Sequence, residues 1–129
     1  MEEMSALNEY LSEEKSIYLQ ICEMIETDIL RGALLDGERA PSTNELARFY
    51  TINPATAAKG LGILVERGIL IKRRGLGMFV ADGAAEVIRT RRKNEFKERK
   101  LRDLLAEARS LGISKDELIR MLAEGESNG

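Results

Sequence analysis

The sequence contains no histidine and a single cysteine, Cys22. A conventional zinc site draws its ligands from those two residue types, so it is nearly excluded. Nucleophilic catalysis by a Ser–His or Cys–His pair is excluded outright. No run approaches the roughly 18 apolar residues that a membrane-spanning helix needs, and no membrane partner is expected. The N-terminus holds Glu2, Glu3, Glu9, Glu13 and Glu14, unlike the basic start of a secretory signal. One thiol makes no internal disulfide, and the chain reads as soluble and cytoplasmic. Cys22 itself reads as a buried structural residue beside Ile21, since a redox switch needs exposure and a lowered pKa. A glycine-rich phosphate-binding motif is also missing, and the carboxylates fall on helical surface patterns without converging. Neither an enzyme nor a bound cofactor is expected.

What remains is a chain of 129 residues, 43% apolar and 33% charged. That suits one domain, or a small domain with an extension, and a modest core. The net charge of −2 hides an uneven distribution. Residues 1–38 hold only Lys15 and Arg31 against ten acids, a net of −8. Residues 39–80 hold seven bases against Glu45 and Glu66, a net of +5. Residues 81–129 come to +1. The middle block is a positive island, which attracts polyanions.

Residues 1–13 read as an acidic arm. From Ile17 the apolar residues Ile21, Met24 or Ile25, and Ile29 recur by threes and fours, which predicts a helix ending at Arg31-Gly32. Tyr18 and Met24 read as core. Ser42-Thr43-Asn44-Glu45 has the form of a capping box and opens a short helix. Thr51-Ile52 make a turn. Asn53-Pro54 then starts a helix to about residue 67: asparagine caps it, and proline suits its first position because it has no N–H to leave unpaired. Leu61, Leu64 and Val65 form the apolar stripe. Strands are expected at Ile69–Lys72 and Met78–Val80.

Helix, short helix, tight turn, helix, hairpin is the order of a winged helix-turn-helix, whose second paired helix enters the major groove of DNA. The fold expected is mainly α with a small β wing. It places a DNA-binding domain at residues 14–82 and a helical dimerisation segment at 83–129. The hairpin tip, Lys72-Arg73-Arg74-Gly75-Leu76-Gly77, is the wing. Its glycines permit positive φ and close approach, and Arg73 and Arg74 reach phosphates or a groove floor. A plain hairpin would also use glycines in its turn; the bases beside them and the capped helices before them favour DNA.

This series resembles the N-terminal domain of the GntR family of bacterial transcription regulators. The matching pieces include Ile17-Tyr18-Leu19-Gln20-Ile21, Gly37-x-Arg39, Pro41-Ser42, Leu46-Ala47, Asn53-Pro54-x-Thr56, Leu61-x-x-Leu64, Gly68-Ile69-Leu70 and Arg74-Gly75-x-Gly77-x-Phe79-Val80. They span roughly residues 14–82. The short remainder resembles the YtrA-like branch, in which two helices replace a large ligand-binding domain and mediate dimerisation. The resemblance implies a homodimeric regulator, a repressor, on palindromic double-stranded DNA. Many members carry arginine where this chain has Asn44, a bulky aliphatic followed by a base where it has Ala57-Ala58, and alanine where it has Gly60, with Gly62 soon after. Those departures keep open an alternative, a winged-helix interaction module that has lost specific DNA binding.

The candidate DNA contacts follow from residue chemistry. Arg39 reaches a base edge or phosphate. Ser42, Thr43 and Asn44 lie at a helix N-terminus, where N–H groups favour phosphate. Asn53, Ala55, Thr56 and Lys59 lie on the first turns of the reading helix: Asn53 and Thr56 hydrogen-bond, Ala55 packs on a thymine methyl, and Lys59 reaches guanine or phosphate. Ser42 and Asn53 are equally well explained as caps. Arg73, Arg74, Gly75 and Gly77 make the wing. In the C-terminal segment, Val87, Phe96, Leu101, Leu104 and Leu105 form a sparse stripe, joined by Leu118 and Leu122 after a second capping box, Ser114-x-x-Glu117. These are the candidate dimer contacts, since helices without a local core bury their stripes on a second subunit. The sequence names no small-molecule effector. Two helices do not enclose a pocket of several hundred Å³, so an effector would sit between subunits or between the helices and the winged domain.

Overall fold

Residues 17–128 are described by the computed structural model, so the acidic arm expected at 1–13 lies outside the described residues. Helix α1 covers residues 17–30 and turns Ile21, Cys22, Ile25 and Ile29 inward. Their spacing of one, three and four keeps them on one helical face. The helix ends at Gly32, whose φ of +78° is the left-handed conformation glycine adopts at helix ends. Helix α2, Thr43–Tyr50, starts on the capping box read from the sequence. Ser42 Oγ accepts from the Glu45 N–H at 3.1 Å, and the Glu45 carboxylate accepts from the Ser42 N–H at 3.4 Å. Thr51 closes α2 at φ +52°, an unusual conformation for a β-branched residue.

Helix α3, Pro54–Glu66, is capped by Asn53, whose Oδ1 accepts from the Ala55 N–H at 2.9 Å. It buries Ala57, Gly60, Leu61 and Leu64. Strands β1, Leu70–Arg73, and β2, Gly77–Val80, pair antiparallel with Leu70 opposite Val80 and Arg73 opposite Gly77. Both strands sit one residue from their expected positions at the loop end, because the ladder continues until the three-residue loop 74–76. A further segment joins the sheet: Arg39 bridges Phe79, with the Ala40 N–H donating to Met78 O and the Val80 N–H to Glu38 O. The crossing after α1 thus runs beside β2 through one isolated bridge, and the sheet itself has two strands.

The core gathers α1, α2, α3 and the inner face of the hairpin: Ile21, Ile25, Leu46, Leu61, Leu64, Ile69, Leu70 and Val80 are all buried. Full burial of each large aliphatic contributes about 1.5–3 kcal/mol. Tyr18 and Met24, expected in the core, are half-buried at its edge. Gly60 lets α1 and α3 approach closely. A β-carbon there would stand 3.2 Å from Tyr18 O, and the Cys22 thiol donates to Gly60 O at 3.1 Å. Glu26, only 2% exposed, pairs with Arg67 at the end of α3, Oε2 to Nη1 3.3 Å.

Helix α4, Ala84–Glu95, extends this core with Ala84 and Ile88. The chain divides into two compact units, residues 1–89 and 90–129, so the boundary falls inside α4. The second unit continues through a π-helical stretch, Phe96–Leu101, into α5, Arg102–Ser110, and then α6, Lys115–Asn128. Ser114 Oγ accepts from the Glu117 N–H at the start of α6. The π stretch had no signature in the periodicity; such turns are rare and have no compositional code.

Candidate nucleic-acid interface

The buried residues of α3 fix what its opposite face offers. With Ala57, Gly60, Leu61 and Leu64 inward, Ala55, Ala58 and Lys59 stand exposed, and Thr56 is half-buried. Lys59 is the cation of this helix, and its ammonium lies 4.6 Å from the centre of the Tyr18 ring. That contact steadies the end of a flexible side chain. Ala57, one of the two alanines noted as departures, is part of the core.

Pleating sorts the hairpin by face. Leu70, Met78, Val80 and Ala40 turn to the core, while Ile71, Arg73, Gly77, Phe79 and Arg39 share the outer face. On that face the Arg73 guanidinium lies 5.0 Å from the centre of the Phe79 ring. Arg39 occupies the other side of Phe79. Its Nε comes within 3.0 Å of where a β-carbon on Gly77 would be, so the missing side chain at 77 is what gives Arg39 room. Its Nη2 lies 3.9 Å from Glu45 at the start of α2, with both side chains more than half exposed. An exposed pair at that distance is worth little. The loop Arg74-Gly75-Leu76 closes with the Leu76 N–H donating to Arg73 O at 2.9 Å and Gly75 at φ +77°. Positive φ at the third turn position, with Arg74 in the ordinary region, is the type II form that favours glycine there.

A positive wing face thus reaches the start of α2 through Arg39 and Glu45, in the same compact unit as the capped helix α3. The family described as "Bacterial regulatory proteins, gntR family" matches residues 17–80. The HTH-type transcriptional regulator YhcF of Bacillus subtilis is 33% identical over 109 residues, covering 81% of this chain and 85% of its own length. This chain belongs to the GntR family. The HTH-type transcriptional repressor YtrA of the same organism is 29% identical, covering 84% of this chain and 82% of its own. A solved structure, a GntR-family putative transcriptional regulator from Bacteroides thetaiotaomicron, superposes at TM-score 0.76 with 32% identity over 86% of this chain and 97% of that one. This GntR-family chain is therefore a DNA-binding transcription regulator and not an enzyme, and its fold is the winged helix-turn-helix. No helix among the described residues is long and apolar enough to cross a membrane.

Of the residues singled out in the sequence, Arg39, Arg73 and Gly77 are brought together on the outer face of the wing sheet. Arg74 and Gly75 form its tip. Ser42 and Asn53 spend a side-chain oxygen on capping, and Thr43 and Asn44 begin α2. Lys72 is on the opposite face from Arg73. Three neighbours of these residues were missed: Glu45 beside Arg39, Tyr18 against Lys59, and Phe79 against Arg73. Phe79 was legible in principle, because a hairpin register that pairs 73 with 77 puts 79 diagonally across from 73 on the same face.

In the C-terminal unit, Phe96, Leu101, Leu104, Leu105 and Leu122 are exposed, as are Leu111 and Ile119. Leu118 is already buried within the single chain. Val87, on the first turns of α4, is 43% exposed.

Proposed function

We propose that the chain represses transcription in the cytoplasm by binding a palindromic operator as a homodimer. Each α3 enters a major groove, and each wing lies along the adjacent minor groove. The observation that carries this reading is the outer wing face, where Arg39 and Arg73 flank Phe79 and the glycine-flanked loop projects beyond them. Arg39, Arg73 and Arg74 neutralise phosphates, while Ala55, Thr56 and Lys59 meet base edges. The N–H groups at the starts of α2 and α3 serve phosphate through Ser42, Thr43, Asn44 and Asn53.

Dimerisation is assigned to residues 83–129. Phe96, Leu101, Leu104, Leu105 and Leu122 present apolar surface on helices that bury little of their own, and a second copy is the partner that two half-sites require. The name of YtrA, a repressor, supports the sign of regulation. Binding to duplexes that carry the chain's own promoter tests the reading. Two chains per duplex are expected. Inserting five base pairs between half-sites, about half a turn, should abolish binding because it rotates one half-site away. One chain per duplex, or indifference to spacing, contradicts it.

A rival reading, an interaction module without specific DNA binding, rests on the exposed stripe Ala55, Ala58 and half-buried Gly62, which offers bases no hydrogen bond. Replacing Arg73 and Arg74 together with alanine separates the two. DNA affinity falls in the first case, and partner binding is untouched in the second.

A further inference from the structure

We propose that Leu76 is a specificity-determining residue: it packs into the minor groove from the wing tip and selects against the guanine 2-amino group. The inference rests on the DNA-binding reading above and adds what the wing reads.

Leu76 is 65% exposed and is the last residue of the three-residue loop between β1 and β2. Loop tips are ordinarily built of polar residues that hydrogen-bond their own backbone. Here Arg74 opens the loop, while the other two cations stand at its base, Arg73 on the Phe79 ring and Arg39 across Gly77. Gly75 and Gly77, at φ +77° and +118°, leave the loop without side chains on either side of the leucine. A β-carbon at Gly75 would meet nothing within 4 Å. The loop therefore presents one apolar side chain set between two glycines, with Arg74 beyond Gly75 and the Arg73 and Arg39 guanidinium groups set back to meet phosphates.

The minor groove is about 6 Å wide, and its floor distinguishes base pairs chiefly by one group, the guanine N2 amine. Against an A·T pair, leucine meets acceptors that lie in the plane of the floor and an apolar adenine C2–H edge. Against a G·C pair, it covers the amine and strips its water without offering an acceptor. An unmade hydrogen bond of that kind is costly, whereas a polar tip residue would replace it. Apolar side chains are used at minor-groove contacts by other DNA-binding proteins.

The test uses the full chain and duplexes selected by it from a random pool at low salt. At each A·T pair, 2,6-diaminopurine replaces adenine, which adds the amine to the minor groove. At each G·C pair, inosine replaces guanine, which removes it. The expected result is a loss of about tenfold when the amine is added at the pair under the wing. Leu76→Ala should abolish most of that discrimination, and Leu76→Asn, whose carbonyl accepts from the amine, should tolerate it. Both variants should melt with the wild type, since the side chain is mostly solvated. Indifference of the wild type to the amine at every position overturns the inference and leaves DNA binding standing, as does equal discrimination by Leu76→Ala. Selection of no duplex at all overturns both.

Discussion

Arg39 lies across Gly77, its Nε 3.0 Å from the place a β-carbon would take. The two residues are 38 positions apart in the chain and meet because the crossing after α1 bridges β2 at Phe79. At φ +118°, residue 77 is also in a region that L side chains rarely adopt. Gly77→Ala is expected to cost about 1–3 kcal/mol in backbone strain and to push the Arg39 guanidinium aside. Denaturant melts measure the first effect. A loss of DNA affinity beyond that of Arg39→Ala alone measures the second.

Two single substitutions in the helix-turn-helix are expected to raise stability. Thr51 holds φ +52° without being glycine, so Thr51→Gly relieves strain of roughly 1–2 kcal/mol and loses part of it to backbone entropy. Gly62 sits inside α3 with nothing within 4 Å of its missing β-carbon, so Gly62→Ala gains about 1 kcal/mol of helix propensity. Gly60→Ala, two residues away, should not share the gain, because its methyl group would stand 3.2 Å from the Tyr18 carbonyl. Thermal melts of the three variants, side by side, check the contrast.

Glu26 and Arg67 tie α1 to the end of α3 with the carboxylate almost wholly buried. Removing one partner of a fully buried pair costs about 3–5 kcal/mol. Arg67 keeps 27% of its side chain exposed, so Arg67→Ala is expected to fall at or below the low end of that range. Replacing both residues with apolar ones of similar volume should cost less than Arg67→Ala alone. A double variant less stable than the single one would contradict this.

The exposed stripe of the second unit gives a prediction about assembly. Leu101→Asp with Leu105→Asp places charge on two residues that are 38% and 42% exposed in the single chain. Sedimentation is expected to show a monomer that keeps its helical content and binds operator at least tenfold more weakly. A variant that stays dimeric would move the interface elsewhere.

Local chemistry made most of the fold legible. Ser42 with Glu45, Asn53 with Pro54, and the spacing of Ile21, Ile25 and Ile29 each act within a few residues, so their signals survive in the sequence. What was missed is spatial. Arg39 joins the sheet through a contact with Phe79, 40 positions on, and Gly60 matters because Tyr18 O passes close to it. Glu26 reads as one more acid on a helix until Arg67 is set beside it. The wing cations were visible as a run of three, but their division between two faces needed the strand register. The place of Phe79 beside Arg73 likewise follows from that register.

The central claim is that the wing face and α3 hold DNA through its phosphates. The direct measurement is the affinity of the full chain for its promoter duplex across a series of salt concentrations, repeated with Arg73→Ala/Arg74→Ala. Log K is expected to fall linearly with log salt, and the double variant to bind more weakly with a slope shallower by about one to two. No binding at low salt, or binding by the double variant with unchanged affinity and slope, would contradict it.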